Sequence, residues 1–563
     1  MRRIRLTTAI VAGLVLAAFA ASPVFAGEDK KPKLVDIQLL AFNDFHGNLL
    51  PPTGSGGRVL TPAGNVDAGG VEYFATHMKA LEAQNPYTYV VSAGDMIGAS
   101  PLISGLFHDE PTIEAMNLIG VDINGVGNHE FDEGKDELLR MQYGGCHPID
   151  GCQDGTPFYG SIFQFLAANV IDDSTGNPLL PPYEIKNVLG TKIAFIGETL
   201  QGTPLIVTPA GVQGLTFLDE ADTVNMLVPR LKQIGVEAIV LLLHEGGFQS
   251  PSSASFPNTC NGFGGDVTDI VNRLDDEVDV VVSGHTHQPY NCTIDGKLVT
   301  SAASFGRLIT QIDLTLDRRI DDIVAKSAEN KIVTRDVAKD PAMTDLIAHY
   351  DSFAAPIGNR VVGSITADIT RTQDLAGESA LGDVIADAQL AATSPTDFGG
   401  AKVAFMNPGG IRADLVYSQI SGGEQPGEVT FGELFTVQPF ANVMNVKTCT
   451  GAQLDALLEQ QFVVNRFLQI SDGFTYEWSA SASVGSKVDP ASIKIGGVTV
   501  VPGTGYRVAM NNFLSGGGDG FSVFAACTDQ LGGEIDVDVL ATYFLNNSPI
   551  SHTASAGRIV RIP

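Results

Sequence analysis

Short, unbroken apolar runs recur through the first half of the chain: Leu39-Leu40-Ala41-Phe42, Tyr89-Val90-Val91, Ile239-Val240-Leu241-Leu242-Leu243 and Val280-Val281-Val282. Runs of this length without polar alternation read as strands buried on both faces. With neighbouring stretches they predict strands over 35–42, 88–93, 122–126, 192–197, 238–243, 279–283 and 308–315. Residues 70–84, 110–119 and 219–234 carry helical patterning between them. Such alternation implies a layered α/β domain. Segments 147–160 and 245–265 are rich in Gly, Pro, Ser and Asn and predict long loops.

Charge rises from about 318 to 336. Asp340-Pro341 then opens a helical stretch to about Ala355, stopped by Pro356 and Gly358. A domain junction is expected here, because 563 residues exceed one ordinary domain. The expected division is a first domain over 34–335, a linker helix or hinge over 336–358 and a second domain over 359–563. The second domain shows helical patterning at Ser379–Ala392 and Gly451–Phe462, and strand patterning at Lys402–Met406 and Tyr506–Met510.

Met1-Arg2-Arg3-Ile4-Arg5, an apolar run from about Ala9 to Ala21 and then Val24-Phe25-Ala26 have the form of a cleavable signal peptide over 1–26. The run is short for a membrane span, no cysteine sits near the cut and the C-terminal residues form no apolar tail. A secreted protein, extracellular or periplasmic and without a membrane anchor, is therefore expected. Loss of three arginines with the signal would move the net charge from −30 to −33. So acidic a chain is a poor partner for nucleic acid. Six cysteines in an exported chain favour disulfides. Cys146 and Cys152 enclose a tight loop. Cys260 with Cys292, and Cys449 with Cys527, are expected because each pair stays within one domain, among fifteen connectivities that six cysteines allow.

The chemistry lies at the ends of the apolar runs. Asn43-Asp44-Phe45-His46, Gly94-Asp95, Gly127-Asn128-His129-Glu130-Phe131-Asp132, His244-Glu245 and Gly284-His285-Thr286-His287 nearly all follow a predicted strand, at the rim where α/β sheets build sites. Hard oxygens mixed with imidazoles suit divalent first-row metals, and a carboxylate between two ions can bridge them. Asp132 is spaced to accept a hydrogen bond from His129 across a helical turn. A carboxylate that orients a histidine is an acid–base arrangement. Metal-assisted hydrolysis of phosphate esters is the leading reading.

The order Asp-x-His, Gly-Asp, Gly-Asn-His-Glu-x-Asp, His, Gly-His-x-His resembles the calcineurin-like metallophosphoesterases. Asn407-Pro408-Gly409-Gly410-Ile411-Arg412, Gln438-Pro439-Phe440 and the segment from Asn512-Phe513 to Asp519-Gly520-Phe521 narrow the resemblance to the secreted 5′-nucleotidase and UDP-sugar hydrolase family. The resemblance implies a four-layer α/β/β/α sandwich joined by a helix to a smaller, mixed α/β substrate-binding domain. It implies two divalent ions (Zn²⁺, Mn²⁺ or similar), one held by Asp44, His46, Asp95 and His287. The other is held by Asp95, Asn128, His244 and His285, with Asp95 bridging. Water activated by the ions attacks phosphorus, while His129, held by Asp132, stabilises developing charge or protonates the departing ribose oxygen. Phe440 and Phe513 would sandwich the nucleobase, each stack worth about 1–3 kcal/mol. Asn407 and Asp519 would contact base or ribose, and Arg412 phosphate or ribose. The arginine that the family often carries before the helix at Glu378–Asp383 is missing from Asp374-Leu375-Ala376-Gly377; Arg371 is the nearest substitute.

The reading is a secreted 5′-nucleotidase that hydrolyses nucleoside 5′-phosphates, with di- and triphosphates or UDP-sugars as further substrates. Two alternatives stay open: a 2′,3′-cyclic-nucleotide phosphodiesterase with 3′-nucleotidase activity, and an exported nucleoside-binding protein without catalysis.

Overall fold

The computed structural model describes residues 33–207, 210–251, 255–552 and 555–563; the signal segment expected over 1–26 lies outside the described residues. In the first domain, strands β1 (Leu34–Phe42), β2 (Thr88–Ser92), β3 (Ile123–Gly125) and β4 (Gln164–Leu166) belong to one sheet. Strands β5 (Tyr183–Val188), β6 (Thr191–Thr199), β7 (Ala238–His244), β8 (Val278–Ser283), β9 (Pro289–Ile294) and β10 (Lys297–Ala302) form a second. β11 (Leu308–Asp317) and β12 (Asp322–Ile332) return to the first sheet, whose order is β12-β11-β1-β2-β3-β4; the second runs β9-β10-β8-β7-β6-β5.

Helices α1 (Val71–Glu82), α2 (Glu110–Ile119) and α3 (Lys135–Tyr143) cover the outer face of the first sheet, and α4 (Glu220–Gln233) and α5 (Asp266–Arg273) that of the second. This is the expected four-layer sandwich. Its layering explains the unbroken apolar runs. Leu39, Val91, Val240 and Val282 point between the sheets. Their neighbours Leu40 and Val90 meet Phe74 and Met116, while Leu241 and Val281 meet Val224 and Val271. Each such side chain, once buried, contributes roughly 1.5–3 kcal/mol.

β1, β2, β3 and β4 are parallel neighbours, as are β6, β7 and β8. Their registers bring Phe42 beside Ser92, and Leu243 beside Ser283, at the carboxyl ends. The loops that leave those ends therefore meet at one rim of the sandwich.

The charged stretch from Asp322 to Ile332 is a strand paired along β11. It lies at the sheet's edge, where Glu329 is exposed and the half-buried Lys326 and Lys331 pair with Asp279 and Glu329 at 3.5 and 2.6 Å. Helix α6 (Pro341–Gly358) starts where expected, with Asp340 accepting from the backbone N–H of Ala342 and Met343. It continues past Pro356 to Gly358, beyond the expected stop at Ala355. A proline in the last turn deprives only the Ser352 carbonyl of its helical partner, so it does not break the helix there. Met343, Tyr350 and Ala354 pack into the core beneath the first sheet's helices, with Tyr350 edge-on to Phe107 at 4.9 Å.

The second domain centres on a five-stranded sheet. Its strands are β13 (Val403–Met406), β14 (Val443–Thr450), β15 (Gln469–Ile470), β16 (Gly505–Asn511) and β17 (Thr528–Ile535), in the order β15-β13-β16-β14-β17. α7 (Ala380–Thr393) and α9 (Asp536–Asn547) bury Leu381, Ile385, Leu540 and Phe544 against one face. α8 (Gly451–Val464) packs Leu454, Leu457 and Leu458 on the other. Cysteines pair as Cys146–Cys152, Cys260–Cys292 and Cys449–Cys527. Among the described residues no helix is long and apolar enough to cross a membrane.

Candidate active site

The loops at the rim bring all seven expected ligands together. Asp44 and His46 follow β1, Asp95 follows β2, Asn128 follows β3, His244 ends β7, and His285 and His287 follow β8. Asp44, His46, Asp95, His285 and His287 all adopt left-handed backbone, with φ between 48° and 67°. Non-glycine residues there cost on the order of 1–3 kcal/mol each and persist where the surrounding structure enforces them, most often at functional sites.

Two triads of donors result. In the first, Asp44 Oδ1 is 3.2 Å from His287 Nε2, and His46 Nε2 is 3.1 Å from the same nitrogen. In the second, Asp95 Oδ2 lies 2.9 Å from His244 Nε2, with His285 in the same group and its Nδ1 3.0 Å from Asn128 Oδ1. Asp95 Oδ2 is also 3.7 Å from His46 Nε2, so this carboxylate stands between the triads.

Backbone groups fix the rings. His46 Nδ1 pairs with Gly98 O at 2.8 Å and His244 Nδ1 with Ala93 O at 2.6 Å. Each bond takes the Nδ1 proton and leaves an Nε2 lone pair facing the centre, as metal-binding histidines require. His244 Nε2 is buried and, despite its closeness to Asp95, misaligned for a hydrogen bond, so it has no partner. An orphaned imidazole lone pair beside buried carboxylates costs free energy unless a cation meets it. The donor set therefore fits divalent ions.

Electrostatics mark His244 as the place a cation is wanted: burial opposes a charged ring, but Asp95 and then Asp44 outweigh it and push its pKa up to about 10, so a divalent ion would take the place of a proton on Nε2. Burial alone would raise the Asp95 carboxyl, but His244, His129 and His46 hold it well below the usual range. His285 is pushed down to about 3, first by burial and then by His244, which keeps it neutral and able to ligate. His129 donates from Nδ1 to Asp132 Oδ2 at 2.8 Å, and its own backbone N–H donates to Asp95 Oδ1 at 2.9 Å. Burial opposes a charged His129 ring; Asp132 and Asp95 outweigh it and hold the pKa above its ordinary value.

Three supporting residues escape simple motif reading. Glu130 accepts from the N–H groups of Asp95, Met96 and Gly127 at 2.7–2.9 Å, tying the loop after β2 to the loop after β3. Asn43 donates to Asp44 Oδ2 at 2.6 Å. Asp109 accepts from Gly98 N–H at 2.8 Å, behind His46. Glu130 and Asn43 lie inside the quoted motifs, where hydrogen-bonding capacity was their only signal; Asp109 gave none.

Gly127 touches this frame. A Cβ there would sit 2.3 Å from Asp95 Oδ1 and 2.7 Å from His244 Cε1. Gly127→Ala is expected to cost ~1–3 kcal/mol as an overpacked core site and to displace Asp95. A thermal melt and metal content measured together check this: both should fall.

The second domain contributes at the same rim. Phe440 stacks on His129, ring centroids 5.6 Å apart at 22°, and the Arg412 guanidinium carbon lies 5.8 Å from the Phe440 centroid. Asn407 donates to Asp519 Oδ2 at 3.1 Å and accepts from Asn511; Asp519 also pairs with Arg466. The Phe513 ring packs against Gly518 in the same loop, while Phe440 has the imidazole as its ring partner. Arg371 donates to Ile411 O at 2.9 Å and lines, with Arg412 and Phe305, a cavity of about 350 Å³ between the domains.

A calcineurin-like phosphoesterase family model matches residues 37–289, and a 5′-nucleotidase C-terminal domain model matches 361–526. Endonuclease YhcR of Bacillus subtilis is 37% identical over 85% of this chain, which spans only 37% of that relative's length. Cell wall protein Lmo0130 of Listeria monocytogenes is 32% identical over 98% of this chain and 71% of its own. A solved 5′-nucleotidase precursor from Thermus thermophilus shares the fold, with a TM-score of 0.74 at 23% identity over 94% of this chain and 99% of that one. Both domain models on one chain, a relative aligned over nearly the whole of this chain and a donor set suited to divalent ions lead to one assignment: the chain belongs to the calcineurin-like phosphoesterases with a 5′-nucleotidase C-terminal domain and is a metal-dependent phosphoester hydrolase.

Proposed function

We propose that the protein is an exported 5′-nucleotidase that releases phosphate from nucleoside 5′-phosphates. The observation that carries this reading is the stack of Phe440 on His129, with the Arg412 guanidinium set over the Phe440 ring. A phosphate held at the two triads would leave its organic group facing the second domain, where stacking and hydrogen-bonding side chains stand ready.

Asp44, His46, Asp95 and His287 would hold one ion, and Asp95, Asn128, His244 and His285 the other. Bound there, divalent ions supply Lewis-acid polarisation of phosphoryl oxygens and an activated water nucleophile. His129, oriented by Asp132, donates a hydrogen bond to charge developing at phosphorus and hands its ring proton to the departing ribose oxygen. Burial, and then Arg371, bring the Arg412 pKa down to about 10, so the guanidinium stays charged at neutral pH and draws the phosphate in. Arg371 lines the same cavity and supplies a second guanidinium where the family's arginine is absent. Phe440 and Phe513 offer faces for the base, and Asn407 and Asp519 hydrogen-bond base or ribose.

The acidic chain, at −30, argues against polynucleotide substrates. Three disulfides support export to an oxidising compartment. Product analysis on AMP and 2′,3′-cyclic AMP, with chelated and Mn²⁺-restored protein, tests the function. Metal-dependent release of adenosine and phosphate from AMP, with little from the cyclic ester, is expected. Preference for the cyclic ester would reassign the enzyme to phosphodiesterase chemistry. Turnover of neither ester, with metal bound, would overturn the 5′-nucleotidase reading in favour of a different phosphate ester or a nucleoside-binding protein.

A further inference from the structure

The Asp519 carboxylate is buried, stands on left-handed backbone at φ 57° and is gripped from two sides. On one side, Asn511 donates to Asn407 Oδ1 at 3.0 Å, which turns the Asn407 amide nitrogen toward Asp519. That nitrogen donates to Asp519 Oδ2 at 3.1 Å. On the other side, the Arg466 guanidinium donates to Asp519 Oδ1. No motif in the sequence marks Arg466.

The end of α8 sets Arg466 in place. Asn465 takes left-handed backbone at φ 52° and closes the helix, and the Arg466 N–H donates back to Gln461 O at 3.1 Å. The same helix end packs on the loop that carries Asp519: a Cβ on Gly520 would lie 2.6 Å from Val464 Cγ1. The Phe513 ring lies against Gly518, the residue before Asp519, and a Cβ at Gly409 would come within 3.6 Å of Asp519 Oδ2. The carboxylate therefore stands beside Phe513 and next to the glycines that follow Asn407. An ionised carboxylate offers about four lone-pair sites and no donor. Asn407 and Arg466 occupy one on each oxygen, which leaves acceptor capacity for a ligand.

We propose that Arg466 is a positioning residue for the nucleoside, one that holds the Asp519 carboxylate in place as an acceptor for N–H or O–H groups of base or ribose. The assignment rests on the 5′-nucleotidase reading, which sets Asp519 against the nucleoside. A buried carboxyl without a cation tends to protonate, and protonation trades an acceptor for a donor. Burial does raise the Asp519 pKa. Arg466 is the largest of the groups that pull it back, ahead of Asn407, and Arg412 is the other charge that acts on it. A charge-assisted bond is roughly twice as strong as the neutral one from Asn407. Arg466 acts through Asp519 on the organic group of the substrate, so chemistry at phosphorus is indifferent to it.

The test is steady-state kinetics of Arg466→Gln on AMP and on p-nitrophenyl phosphate, which carries no nucleoside. KM for AMP should rise ~10–100-fold, the worth of a hydrogen bond to a charged group. The kcat for AMP and both constants for p-nitrophenyl phosphate should stay as they are. The rise should be largest below neutral pH and shrink above it, as Asp519 regains its charge; a general loosening of the domain would not follow pH in that way. Arg466 is 37% exposed, so the exchange leaves the core intact. Arg466→Lys keeps the cation and should recover part of the lost affinity. Asp519→Asn combined with Arg466→Gln should cost no more than Asp519→Asn alone, because the two residues act as one. An unchanged KM for AMP, equal losses with both substrates, or additive costs in the double variant would overturn the assignment. If the unmodified protein fails to hydrolyse AMP, the nucleotidase reading itself falls, and the role of Arg466 falls with it.

Discussion

Asp95→Asn should abolish most turnover and most metal binding at the active site. The Asp95 carboxylate stands between both triads, 2.9 Å from His244 Nε2 and 3.7 Å from His46 Nε2. Asparagine keeps the shape and the acceptor for His129 N–H, which lies on Oδ1, so the fold should survive. What disappears is the negative charge that makes cation binding there favourable. If the ions supply ~5 kcal/mol of transition-state stabilisation, the loss in kcat is roughly 10³–10⁴-fold. Elemental analysis and steady-state kinetics on AMP check both parts. A variant that keeps full metal content and turnover would remove Asp95 from its bridging role.

His129→Ala should show a different signature. The side chain sits against Asp132 and Phe440, while its link to Asp95 runs through the backbone N–H, which alanine retains. Metal content should therefore stay near that of the unmodified protein. The kcat should fall ~10²–10⁴-fold, the range of a lost general acid–base group, and KM should change much less. Loss of metal together with activity would make His129 a ligand instead. His129 does lie close enough to His46 and Asp95 for this to be a real alternative, since their donor atoms fall within 4.8 Å.

The contrast between these two variants rests on features of unequal visibility in the sequence. The rim was legible because each ligand follows a doubly buried strand. Leu39–Phe42 and Ile239–Leu243 cannot be other than interior, and the polar residue that ends such a run sits at the rim formed by the strands' carboxyl ends. The second domain was harder to read. β17 is solvent-exposed along its whole length, so no apolar alternation marks it. β12 carries two lysines and a glutamate because it is an edge strand, and its charge resembled a linker. Pro356 suggested a helix stop that the last turn of α6 absorbs.

Long-range contacts left no local pattern at all. Nothing near Phe440 announces that it stacks on His129, more than three hundred positions away along the chain. Glu130 shows an intermediate case: its position within the Asn128–Asp132 motif was visible, but its three backbone bonds depend on two loops meeting.

Anomalous diffraction from crystals grown with Mn²⁺ tests the central claim most directly. Two peaks are predicted at the rim, one among Asp44, His46 and His287 and one among Asp95, His244 and His285, with Asp95 touching both. A single peak there, or none, would contradict a two-ion active site.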